Sequence, residues 1–188
     1  MKLKQKIEEN QDQNVEKSAK KSFDLSENMI NLLIKQISHE LHNYTLYKTF
    51  ANYFGTCGLN LLKEYYFMRA NEELLHHQWI VDYLDERGVF FKYPAILEVN
   101  EEFDEHIDIF ELTVAVEEET TKMIQDIVTL AYKEGDWNTF GWLMKGENSL
   151  VLEQNEEMSI SNFALDVADQ DGSWFDKERV ILTAYKKS

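Results

Sequence analysis

The sequence predicts an all-α protein: one bundle of four long helices with a single long crossover and a short C-terminal helix. Two observations carry this. Seven Gly and one Pro in 188 residues are too few for the many tight turns of a β-sandwich or barrel. Apolar residues recur at three- and four-residue steps along four long stretches, and no strand alternation or low-complexity tract competes with them. The length suits one domain, and 44% hydrophobic residues can fill its core.

Residues 1–22 are rich in Lys, Glu, Gln and Asn and carry little apolar surface. They read as a mobile charged extension, which leaves 23–188 as the bundle domain. Asp24-Leu25-Ser26-Glu27 fits a capping box, and Leu33, Ile37, Tyr44, Tyr47 and Ala51 then mark a first helix ending near residues 55–58. A second helix runs from about residue 59 to 86 on Leu62, Tyr66, Ala70, Ile80 and Leu84, with Gly88 as its stop. Residues 88–103 hold the only proline, Pro94, in a connection too long for a tight turn and long enough to cross the length of a bundle. The third helix repeats Phe103, Ile107, Phe110, Val114, Glu117, Thr121, Ile124, Val128 and Ala131 in alternating steps of four and three. A fourth starts near Asp136 and Trp137 and reaches about Ala168, where Asp171-Gly172 breaks it before an amphipathic tail, 174–185. Two short connections and one crossover give an up, down, down, up bundle.

The net charge is −16, and because 1–22 is slightly basic the remainder is more acidic still. Such a surface repels nucleic-acid phosphate and anionic lipid and attracts cations, so neither nucleic acid nor membrane is expected as a partner. Cys57 stands alone and cannot form an intrachain disulfide. With no apolar run resembling a signal peptide or a spanning helix, a reducing cytoplasm is the expected location.

Acids on apolar helical faces need a physical reason, because burying an unpaired carboxylate costs several kcal/mol. Glu40 lies three residues from Ile37 and four from Tyr44; Glu73 lies seven from both Tyr66 and Ile80. Glu117 shares the third stripe, whereas Glu118 and Glu119 rotate toward the flank or solvent. In the fourth helix the stripe Leu143, Gly146, Leu150, Glu153, Glu157, Ile160, Ala164 and Val167 contains two acids, with Gln154 at its border. Periodicity accepts either Glu153 or Glu157. His76 follows Glu73 at i+3, where an imidazole and a carboxylate can reach one metal ion. Converging acids would repel one another, which predicts that Glu117→Gln raises metal-free stability.

Several separated segments now give a family likeness: His39-Glu40-Leu41-His42-Asn43-Tyr44-Thr45-Leu46-Tyr47, Ala70-Asn71-Glu72-Glu73-Leu74-Leu75-His76, Val116-Glu117, Glu153-Gln154-Asn155-Glu156-Glu157, and Trp174-Phe175-Asp176-Lys177-Glu178. Over about residues 27–180 the chain resembles bacterial non-haem ferritin. The resemblance implies a ferritin-like four-helix bundle whose carboxylates hold two iron ions per subunit. Glu40, Glu73 and His76 resemble the first iron site, with Glu73 bridging to the second; Glu117, Gln154 and Glu157 resemble the rest. Tyr47 matches the tyrosine that supplies an electron beside the centre. Glu72, Glu153 and Glu156 match a weaker third iron site. Between residue 140 and Glu153 the chain is about one turn longer than the family pattern, and the usual tryptophan before Gln154 is absent. A second Glu-x-x-His on the fourth helix, which a bacterioferritin or rubrerythrin would have, is missing, so no haem is expected.

The implied function is iron storage and detoxification. A ferroxidase oxidises Fe(II) with oxygen or hydrogen peroxide, and ferric mineral collects in a homo-oligomeric shell of twenty-four subunits. The alternative is a ferritin-fold shell or interaction protein without useful ferroxidase activity. His39, His42, His77 and His106 read as surface or interface histidines, Tyr44, Tyr65 and Tyr66 as core aromatics, and Cys57 as a packing residue.

Overall fold

A computed structural model describes residues 24–145 and 149–187. They form six helices and no strand: α1 Glu27–Thr56, α2 Asn60–Glu86, α3 His106–Glu134, α4 Trp137–Leu143, α5 Leu150–Asp169 and α6 Trp174–Tyr185. The expected extension, 1–22, and Gly146 lie outside the described residues. No described helix is long and apolar enough to cross a membrane.

α1 begins at Ser26, two residues later than the sequence motif suggests, because the Ser26 hydroxyl accepts the Met29 amide at 3.0 Å. The turn into α2 passes through Gly58 at φ 79°, a left-handed conformation that strains a residue with a Cβ. Cross-helix contacts set the directions. Tyr53 meets His106, Tyr47 meets Glu117 and Asn43 meets Thr120, so α1 and α3 run antiparallel. Tyr66 meets Thr113 and Arg69 meets Glu117, so α2 and α3 run parallel, as a long crossover requires. Residues 89–103, without regular structure, make that crossover, and the Leu97 carbonyl accepts a hydrogen bond from His42 Nδ1 at 3.4 Å.

Two expectations need correction. On α3 the buried set is Ile109, Phe110, Thr113, Glu117, Thr120, Ile124, Ile127 and Ala131. Thr113 and Thr120 replace Val114 and Thr121 because their hydroxyls find partners inside, in Tyr66 at 3.0 Å and His39 at 2.7 Å. The fourth long helix is two helices, α4 and α5. Asp136 caps α4, and Ser149 restarts the chain at α5 by accepting the Leu152 amide while donating to the Leu143 carbonyl at 2.7 Å. This restart resets the register: Gln154 and Glu157 are buried, and Glu153 lies at the partly exposed edge.

α6 docks through Glu178, whose Oε2 accepts the amides of Leu61 and Leu62 at 2.9 and 3.4 Å. These are free donors at the start of α2, where Leu59 offers no side-chain cap. The core has an aromatic end, built around Tyr47, Phe50, Phe54, Tyr66 and Phe110, and an aliphatic end around Leu33, Ile37, Ile80, Leu84 and Ile124. Between them, at the middle of the bundle, lies a belt of buried polar side chains.

Candidate metal centre

The belt draws side chains from four helices. Glu40 comes from α1, Glu73 and His76 from α2, Glu117 from α3, and Gln154 and Glu157 from α5; none is more than 4% exposed. Each sits on the same helical face as core apolar neighbours, so packing the apolar stripes drives the acids together. Two groups have ligand atoms within 4.8 Å of one another: Glu40, Glu73 and His76, and Glu73, Glu117 and Glu157. Glu73 belongs to both.

The first group lacks an internal counter-charge. Gln36 Nε2 donates to Glu40 Oε1 at 2.6 Å, but Glu40 Oε2, both oxygens of Glu73 and Glu157 Oε2 receive no donor among the described residues. Buried oxygens of that kind are uncommon and invite a cation. Burial pushes Glu40 up to about 7 and, with the Glu157 and Glu40 charges beside it, holds Glu73 well above the carboxylate range. Burial, with Arg69 adding to it, pushes His76 down to about 3, so the imidazole is neutral and can act as a ligand. His76 Nδ1 lies 3.8 Å from Glu157 Oε2.

In the second group Glu117 and Glu157 are already hydrogen-bonded. Arg69, fully buried, donates from one terminal nitrogen to Glu117 Oε1 and from the other to Glu157 Oε1 at 2.9 Å, with a longer 3.3 Å contact to Glu72 Oε2. Burial opposes its charge, but Glu157 and Glu117 outweigh it and raise the Arg69 pKa well above normal. Glu117 Oε1 also accepts from the Tyr47 hydroxyl, and Gln154 Nε2 donates to Glu117 Oε2 at 2.8 Å. The Tyr47 ring flanks the guanidinium, 5.6 Å from its central carbon, and burial first, then Glu117, holds the Tyr47 hydroxyl well above its ordinary pKa.

Sequence reading passed over Arg69. Its signal was present: Arg69 stands four residues before Glu73 and seven before His76, on the face that singled out both. Glu118 and Glu119 are exposed, as their positions beside Glu117 dictate. Glu72, Glu153 and Glu156 stand apart, lining an open cleft against Arg69, Glu157 and Tyr185. Tyr185 of α6 donates to Glu72 Oε1 across that cleft. Of the other histidines, His39 meets Thr120, His106 meets Tyr53, and the His77 ring lies beside Tyr93.

Comparison with known proteins agrees with this architecture. A family model described as a ferritin-like domain matches residues 30–158. The bacterial non-heme ferritin of Staphylococcus haemolyticus is 26% identical over 148 residues, 79% of this chain and 87% of that protein. The open-pore ferritin of Archaeoglobus fulgidus superposes with a TM-score of 0.76 at 28% identity, covering 84% of this chain and 98% of that one. Chlorobium tepidum ferritin gives 0.75 at 25% identity, covering 86% and 96%. With four acids, a histidine and a glutamine brought to one level of a crossover bundle, and a family model spanning most of its length, the chain belongs to the ferritin-like family.

Proposed function

We propose that the protein takes up Fe(II) and oxidises it to Fe(III) at this intrasubunit centre, with oxygen or peroxide as oxidant. The ferric product is then held as mineral in a hollow homo-oligomeric shell, of twenty-four subunits as the family resemblance implies. The observation that carries the reading is the Glu40, Glu73, His76 group: buried oxygens without donors beside a neutral imidazole. Hard carboxylate oxygens favour the ferric ion, so binding itself promotes oxidation. In a reducing cytoplasm Fe(II) is the form available. Tyr47, which donates a hydrogen bond to Glu117, would give an electron to the centre. Glu72, Glu153 and Glu156 would hold iron more weakly on its way through the open cleft.

Exposed apolar side chains support assembly. Phe67, Leu74 and Leu75 on α2 and Phe90, Tyr93 and Leu97 on the crossover are each at least 39% exposed, apolar side chains that a subunit interface would cover. Residues 23–188 form the folding unit of this proposal, and 1–22 serve neither folding nor oxidation. A second reading, a ferritin-fold shell without rapid oxidation, is favoured by one observation, the Arg69 guanidinium bound inside the centre.

The test is anaerobic loading of the full-length protein with Fe(II) followed by oxygen, read as ferric absorbance and as iron retained on gel filtration. Fast oxidation with retained iron supports the first reading. Retained iron without a fast phase supports the second, and failure to bind Fe(II) removes both.

A further inference from the structure

We propose that the centre is built for one tightly bound divalent metal, at Glu40, Glu73 and His76, with the Arg69 guanidinium standing permanently as the second cation. The inference deepens the proposed function and rests on its claim that this centre binds divalent metal.

The argument is a count of what each group still has to offer. Both Glu117 oxygens are engaged, one by Arg69 and Tyr47 and the other by Gln154. Glu157 Oε1 is engaged by Arg69. A metal held by Glu117 and by Glu157 Oε1 would compete with hydrogen bonds to a fully buried guanidinium and weaken that charge's pairing. Four oxygens remain without donors: Glu40 Oε2, Glu73 Oε1, Glu73 Oε2 and Glu157 Oε2. With a ring nitrogen of His76, whose ligand atom lies within 4.8 Å of those of Glu40 and Glu73, they supply donors for a single ion.

Charge agrees. Glu40, Glu73, Glu117 and Glu157 carry four negative charges when ionised, which two divalent ions would balance alone. Arg69 already supplies one positive charge inside the cluster. One divalent ion plus Arg69 leaves a single excess negative charge, spread over an anion that also accepts from Tyr47 and Gln154. Two divalent ions plus Arg69 would place three cations side by side in a site walled by two hydrophobic clusters, where their mutual repulsion is poorly screened.

The experiment titrates full-length, metal-free protein anaerobically with Co(II), followed by visible absorbance and calorimetry, so that no redox step enters. Wild-type protein should bind one Co(II) per chain tightly, with any second ion inside the bundle about 100-fold weaker or more. Glu40→Ala should abolish the tight site, whereas Glu118→Ala, at an exposed position, should leave it. Arg69→Gln should bring a second tight Co(II) per chain. Two ions of similar affinity in the wild type would overturn this inference while leaving the proposed function standing. No tight Co(II) in the wild type would overturn both. If Arg69→Gln does not fold, the wild-type stoichiometry and its loss in Glu40→Ala still decide.

Discussion

The two halves of the buried centre use the same residue types at the same level of the bundle, yet they are electrostatic opposites. Around Glu40, Glu73 and His76 the carboxylate oxygens lack donors and the histidine is neutral. Around Glu117 and Glu157, Arg69 occupies one oxygen of each acid, with Tyr47 and Gln154 adding to Glu117. One half is incomplete without a cation from outside, and the other has folded around a cation of its own. A carboxylate cluster therefore does not announce how many ions it holds until each oxygen has been followed to its partner.

The contrast can be broken most severely by removing the internal cation. Arg69→Leu leaves Glu117 and Glu157 buried without a counter-charge and should cost the metal-free protein about 3–5 kcal/mol, a fall of roughly 10 °C in melting temperature. Co(II) should restore more of that loss than it adds to the wild type, which calorimetry with and without metal would read. Glu117→Gln should also destabilise the metal-free protein, by about 3 kcal/mol. Arg69 reverses the sign expected from repulsion among acids alone, because Glu117 is that guanidinium's partner.

On the other half the sign should be opposite. Glu40→Gln removes a carboxyl that has no cationic partner among the described residues, so metal-free stability should stay level or rise by up to about 1 kcal/mol. Tight metal binding should be lost with it. Acidity sharpens the comparison further. Burial holds the folded Glu40 pKa up to about 7, against 4.5 for the ordinary carboxyl. Between those values the unfolded chain has released a proton that the folded chain keeps. Metal-free stability should therefore fall as pH rises through that window, by up to about 1.4 kcal/mol per pH unit for one proton. Metal affinity should rise over the same range, since the ion displaces that proton. The smallest effect belongs to Glu153→Ala. Its side chain edges the open cleft, so metal-free melting should shift by no more than about 0.5 kcal/mol, and equilibrium melting would detect anything larger.

Much of this was legible before any coordinates. Helical spacing separated Glu117 from Glu118 and Glu119, and Gly58 and Gly88 ended their helices in the left-handed conformation that glycine favours. The crossover at 88–103 carried the topology. Less legible was the fourth helix, where an unbroken apolar period hid the restart at Ser149; a local cap outweighed the pattern, and with it went the choice between Glu153 and Glu157 as the inward acid. Val114 and Thr113 were likewise exchanged, because hydropathy ranks valine as the core residue while a threonine whose hydroxyl finds Tyr66 is buried more readily. Arg69 was missed for a related reason. An arginine on an apolar face reads as a side chain that reaches solvent, and only the positions of Glu117 and Glu157 on other helices show why it stays inside.

The most direct test is anomalous diffraction from crystals of the full-length protein grown with Co(II). The account predicts one strong anomalous peak inside each bundle, beside His76, Glu40 and Glu73, with Arg69 still bonded to Glu117 and Glu157. Two peaks of comparable occupancy, with Arg69 turned out of the centre, would contradict it.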